Sequence, residues 1–177
     1  MNRRTRPRNP LADALGIDPD VLTALVATLR ERGETVATAE SLTGGLVAAT
    51  LTSVPGSSAA VRGGVVVYAT PLKTDLAGVD AAALAEHGPV HPLIAEQLAT
   101  GARTACGSTW GIGLTGVAGP DPQDGIEPGV VHLAVSGAGH TIVRTIGIDG
   151  NRHQVRAGAV RAAFDLLSAQ FDEPAAD

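Results

Sequence analysis

The chain has 177 residues, is 44% hydrophobic with only 2% aromatic residues, and carries a formal net charge of −5, which suits one compact domain with a core of Ala, Val, Leu and Ile. The charge is uneven: the first ten residues hold four Arg and no acid, while the remainder holds 9 Lys/Arg against 18 Asp/Glu, and an acidic body argues against nucleic acid as the main partner. The leader has no apolar h-region, no apolar run is long enough to span a bilayer, and a single cysteine excludes an internal disulfide, so the chain reads as cytoplasmic, with no membrane partner.

In chain order, residues 1–17 read as a mobile Arg-rich leader. A helix follows over 18–33, with Asp18 as N-cap, Pro19 in the first turn, Gly33 at the end, and an apolar stripe of Val21, Leu22, Leu25, Val26 and Leu29. The β-branched run 35–39 predicts a buried strand, 44–53 a helix, and 63–70 a strand bounded by glycines. Helices are expected over 80–88, capped by Asp80, and over 92–106, where Cys106 closes an apolar face as core packing. Residues 108–116 read as a strand running into a glycine-rich loop. Two further strands, 129–137 and 140–148, are joined by a Gly-Ala-Gly turn as a hairpin. The last helix spans 151–171, with Val155, Ala159, Ala163, Leu166 and Leu167 on one face, and 172–177 is a polar tail. Strands interleaved with helices make this a single three-layer α/β domain over 18–171, with a mixed sheet covered on both faces.

Three stretches can carry chemistry. In Thr38–Gly45, "TAESLTGG", a strand gives way to a helix, and backbone N–H groups and the positive helix end converge there. Ser41 sits where α/β folds expose a nucleophile, Gly44 and Gly45 allow close approach to the backbone, and Thr43 can cap the helix. Ser41 and Thr43 read equally well as ordinary capping residues. No Gly-Lys-Ser/Thr follows, so this is not a triphosphate-binding loop.

A nucleophilic serine needs a base. No local pattern ties any of the five histidines to Ser41, and Gly88 and Pro89 break the His87/His91 spacing that would suit zinc. Lys73 is the only lysine, five residues after Tyr68, the only tyrosine. A desolvated lysine can act as base at neutral pH, directly or through a tyrosine. The alternative is a snorkelling surface Lys and a half-buried core Tyr. The third stretch, 113–131, offers Thr115, Gly116 and Gly119 beside a second strand end, as donors for a phosphate or oxyanion. Asp121 and Asp124 read as solvated turn acids. Arg152 and Arg156, one helical turn apart, can meet a phosphate or pair with surface acids.

The segments "TAESLTGGLVA", "GGVVVYATPLKTDLAGV", "LTGVAGP", "PGVVHLAV" and "GNRHQVRAGAV" come in the order and spacing of the CinA C-terminal domain family, which the chain resembles over roughly residues 20–170. The family's stand-alone form is the nicotinamide-mononucleotide deamidase type, PncC. The resemblance implies hydrolysis of nicotinamide mononucleotide to nicotinate mononucleotide and ammonia, in pyridine-nucleotide salvage, with no metal and no cofactor. It implies Ser41 as nucleophile, Tyr68 and Lys73 as the proton-transfer pair, and backbone N–H groups of Thr43 to Gly45 as oxyanion donors. It places Glu40 beside the substrate and the ribose-phosphate end on the Thr115–Pro120 loop and Arg152. The sequence departs from the family where a serine-asparagine pair after the tyrosine is replaced by Ala69-Thr70, a glycine pair after Gly-Pro by Asp121-Pro122, and a helix-start serine by His91. A homodimer is expected, as small Ala-rich α/β enzymes often self-associate. Two other functions remain compatible with these residues: a nucleotide-binding module with an idle site, and an amidase or esterase acting on another small substrate.

Overall fold

A computed structural model describes residues 9–137 and 139–172. Helix α1 (Pro10–Leu15) and helix α2 (Pro19–Glu31) precede strand β1 (Val36–Glu40) and helix α3 (Leu46–Thr52). Strand β2 (Val61–Val66) leads into helices α4 (Thr70–Ala77), α5 (Ala81–His87) and α6 (Pro92–Cys106). Strands β3 (Trp110–Gly116), β4 (Val130–Ser136) and β5 (Thr141–Gly147) are followed by helix α7 (Arg152–Asp172). The sheet order is β2-β1-β3-β4-β5, with β2, β1 and β3 parallel and the β4–β5 hairpin antiparallel. The parallel strands therefore end at one edge, where α/β sheets hold their ligands.

Strand alternation divides the core in two. Val36, Ile112 and Leu114 pack with α1, α2, α3 and α7 on one face, while Ala37 and Ala39 pack with α4 and α6 on the other. Strand β3 carries Gly111 and Gly113 on that second face for a steric reason. A Cβ at Gly113 would lie 2.3 Å from the Ala99 nitrogen, so the glycines let α6 lie almost on the sheet backbone. All five residues assigned to the buried face of the last helix are buried, and Asp18 and Asp80 cap their helices through Asp20 and Ala83 amides.

Several expectations are corrected. The segment expected to be a mobile leader through residue 17 contains α1, whose Ala12 and Leu15 are buried in the core, with Asn9 capping it; residues 1–8 lie outside the described residues, as do 173–177 of the polar tail. Val21 is 52% exposed and leaves the α2 stripe to its four neighbours. Strand β2 starts and stops earlier than the glycine-bounded run suggested, so Tyr68 and Thr70 lie beyond it. Helix α4 was not expected, because it has only two buried residues, but Pro71 in its first turn is a helix-start signal. Among the described residues no helix is long and apolar enough to cross a membrane.

Candidate active site

Ser41 directly follows β1, at the carboxyl edge of the parallel strands, and its amide donates to the Leu114 carbonyl of β3 at 3.1 Å. The turn into α3 then lifts its hydroxyl into a cleft of about 340 Å³, between the residues after β2 and the loop after β3. Lys73 reaches the same point from α4. Its Nζ lies 3.2 Å from Ser41 Oγ and 2.9 Å from the Val67 carbonyl, and the side chain is 1% exposed. No carboxylate pairs with the ammonium among the described residues, and burial pulls its pKa down to about 8. Nζ donates to both oxygens in the structure, and a lysine of that pKa is partly neutral near physiological pH.

Tyr68 shares the cleft with Ser41 and Lys73 but not their hydrogen bond. It is 59% exposed at the mouth of the cleft, and its hydroxyl accepts from Arg152 Nη2 at 2.9 Å, while Arg152 Nη1 donates to the Gly119 carbonyl at 2.9 Å. Tyr68 makes no hydrogen bond to Ser41 or Lys73 among the described residues; the Ser41–Lys73 contact is direct. Arg152 thus joins the residues after β2 to the loop after β3, across the front of the site.

The acidic residue of the motif is corrected most. Glu40 is fully buried and does not line the cleft. Its carboxylate accepts from the amides of Gly45, Val47 and Ala48 at 3.0, 3.0 and 2.9 Å and from Thr38 Oγ1 at 3.1 Å. It caps α3 from the preceding strand, the charge complementing the helix N-terminus. Thr43 and the two glycines also lie behind the cleft rather than in its wall. Thr43 Oγ1 is buried without a partner among the described residues and caps no helix amide there, the Gly44 amide donates to the Ser41 carbonyl at 3.1 Å, and the Gly45 amide is taken by Glu40. The amides of Gly44 and Gly45 are therefore not free oxyanion donors. Those of Leu42, Ala118 and Gly119, all in the cleft wall, make no hydrogen bond among the described residues.

Thr115 and Gly116 are in the wall, but the Thr115 hydroxyl is committed to the Pro89 carbonyl at 2.6 Å. Asp121, expected as a solvated turn acid, is exposed but lines the cleft. Arg156 parts from Arg152: it donates to the Thr43 carbonyl at 2.8 Å, behind the nucleophile, and does not line the cleft. The His87 and His91 rings stack at 4.4 Å, and no cluster of metal-ligating side chains exists among the described residues.

A family model, the CinA C-terminal domain, matches residues 19–171. The chain belongs to the CinA C-terminal domain family. It is 43% identical over 152 residues to a CinA-like protein of Frankia casuarinae, covering 86% of this chain and 35% of that protein. It is 47% identical over 150 residues to a CinA-like protein of Anaeromyxobacter dehalogenans, covering 84% and 36%. The chain spans about a third of the length of these curated relatives. Among solved structures, the competence/damage inducible protein CihA from Agrobacterium tumefaciens superposes with a TM-score of 0.83 at 33% identity, covering 86% of this chain and 94% of that one. The CinA superfamily protein ECK1530/EC0983 from Escherichia coli gives a TM-score of 0.83 at 26% identity, covering 96% and 99%. The three-layer fold with its mixed sheet is thus the fold of the CinA superfamily structures.

Proposed function

We propose that the chain is an amidohydrolase that releases ammonia from nicotinamide mononucleotide through a Ser41 nucleophile and a Lys73 base. The observation that carries this reading is the buried Lys73 amine, 3.2 Å from Ser41 Oγ and with no carboxylate partner among the described residues. A buried cation without a carboxylate is costly, and such costs concentrate where a shifted pKa is used.

The steps follow from the geometry. Neutral Lys73 accepts the Ser41 hydroxyl proton as Oγ bonds to the carboxamide carbon, and the carbonyl oxygen becomes an oxyanion facing the free cleft amides. The oxyanion collapses, the carbon–nitrogen bond breaks, and Lys73 gives its proton to the departing nitrogen, which leaves as ammonia. Water then attacks the Ser41 ester as Lys73 takes one of its protons, that proton passes to Oγ as the carbon–Oγ bond breaks, and the acid product gives its remaining proton to solvent and leaves as the carboxylate. The Val67 carbonyl holds Nζ in place throughout.

The substrate class rests on the mouth of the cleft. Arg152 is exposed there and makes no ion pair among the described residues. It presents a guanidinium fork to a phosphate, and Tyr68 beside it offers a hydroxyl and a ring face. The cleft volume falls in the range of small-molecule sites. Ammonia release from nicotinamide mononucleotide, its riboside and free nicotinamide tests this. The expected order is mononucleotide well above riboside, with free nicotinamide last; equal rates on all three contradict the phosphate assignment.

A further inference from the structure

Arg156 stands outside the cleft, yet it is tied to the nucleophile's turn. Residues Ser41 to Gly44 form a β-turn closed by the Gly44 amide on the Ser41 carbonyl at 3.1 Å. A trans peptide sets its C=O and N–H on opposite sides. The Ser41 carbonyl points into the turn, so the Leu42 amide in the same plane points out of it. That amide has no hydrogen-bond partner among the described residues, and Leu42 lines the cleft beside Ser41.

Arg156 holds the peptide link two further along the turn. The Thr43 carbonyl and the Gly44 amide share one plane. The carbonyl accepts from Arg156 Nη2 at 2.8 Å and from the Leu46 amide at a longer 3.3 Å, while the amide closes the turn on Ser41. Fixing the carbonyl end therefore fixes the amide end, the Ser41 carbonyl and, through the Ser41–Leu42 plane, the direction of the Leu42 N–H. Gly44 has a φ of +61°, a left-handed turn position that favours glycine, and a Cβ there would meet Arg156 Nη2 at an ordinary contact distance of 3.4 Å. Capping of the α3 amides does not account for the arginine, because a guanidinium has only donors and the Glu40 carboxylate takes three of those amides. Arg156 Nε is buried without a partner among the described residues, and the guanidinium's hydrogen bond there is the one to the Thr43 carbonyl.

We propose that Arg156 is a positioning residue that holds the Leu42 amide toward the cleft, where it donates to the oxyanion formed on the Ser41-bound substrate. The inference rests on the amidohydrolase reading above.

The test pairs kinetics with structure in Arg156→Gln and Arg156→Lys, beside wild type and Ser41→Ala. In Arg156→Gln the Thr43–Gly44 peptide is expected to reorient or split between two conformers. Its kcat for ammonia release falls by about tenfold or more, with KM changed less than about threefold, because the lost donor acts in the transition state. The pH limb set by Lys73 stays where it is in wild type. Arg156→Lys, which keeps a donor to the Thr43 carbonyl, recovers part of kcat, and it carries the test if Arg156→Gln does not fold. An unmoved turn in a folded Arg156→Gln, or an unchanged kcat where Ser41→Ala is inactive, overturns the proposal. Failure of the amidohydrolase reading shows separately, as no ammonia from wild type or full activity in Ser41→Ala, and the turn's conformation in the variants still decides whether Arg156 positions it.

Discussion

Lys73 Nζ lies 3.2 Å from Ser41 Oγ although 32 residues separate them in sequence. The contact is made because β1 and β2 are parallel neighbours: Ser41 leaves the end of one, and α4 turns back from the end of the other. The same geometry strips the amine of water, and the predictions below follow from that.

Activity should depend on pH through Lys73. Its pKa is lowered to about 8 by burial, and the neutral amine is the base. The rate therefore rises with pH along a limb with a midpoint near 8, and flattens above it. Profiles of kcat/KM from pH 6 to pH 10 (about two units either side,) check this. In Lys73→Arg, a cation that does not deprotonate, activity is lost and no limb remains.

Stability should carry a second mark of the same burial. The folded pKa of about 8 lies below the ordinary 10.5, so between these values the unfolded chain binds more protons than the folded one. Folding stability contributed by this group therefore increases as pH rises from about 8 to 10.5, and below that window the full cost of the buried ammonium is present. Lys73→Met is expected to be inactive yet more stable at pH 7, by about 1–3 kcal/mol. Urea denaturation at pH 7 and at high pH measures both the gain and the loss of the pH slope.

Glu40 belongs to the scaffold, so its removal should appear first as instability. Glu40→Ala leaves three helix amides without an acceptor in a buried setting, and is expected to cost about 3 kcal/mol. Glu40→Gln, which keeps one carbonyl oxygen for those amides, costs less. Thermal denaturation of the pair separates this from a substrate-binding role, which would lower affinity at unchanged Tm.

Substitutions at the mouth of the cleft should act on binding. Arg152→Ala removes the bridge between the Tyr68 hydroxyl and the Gly119 carbonyl and the cation proposed for the phosphate. Its KM for the mononucleotide is expected to rise by about tenfold or more, with a smaller change for the riboside. Steady-state kinetics on the two substrates give the comparison.

The sequence carried the layer order and the trio of Ser41, Tyr68 and Lys73, because glycine punctuation, strand composition and the rarity of Lys and Tyr are local signals. It did not carry the division of labour among them. Glu40 and Ser41 are adjacent, and strand alternation points one side chain inward to cap α3 while the turn sends the other to the cleft. Arg152 and Arg156 share a helix face by spacing, but the first reaches Tyr68 and the second Thr43. Helix α1 is hidden by the Arg-rich composition that precedes it, although Asn9 and Pro10 together form a helix-start signal. Those outcomes depend on contacts across the sheet, which no short window of sequence contains.

The most direct test of the central claim is ammonia release from nicotinamide mononucleotide by wild type, Ser41→Ala and Lys73→Ala under one set of conditions. Activity in wild type, with a loss of about a thousandfold or more in each variant, is the predicted result. Activity retained in a folded Lys73→Ala would contradict the pairing of Ser41 with Lys73.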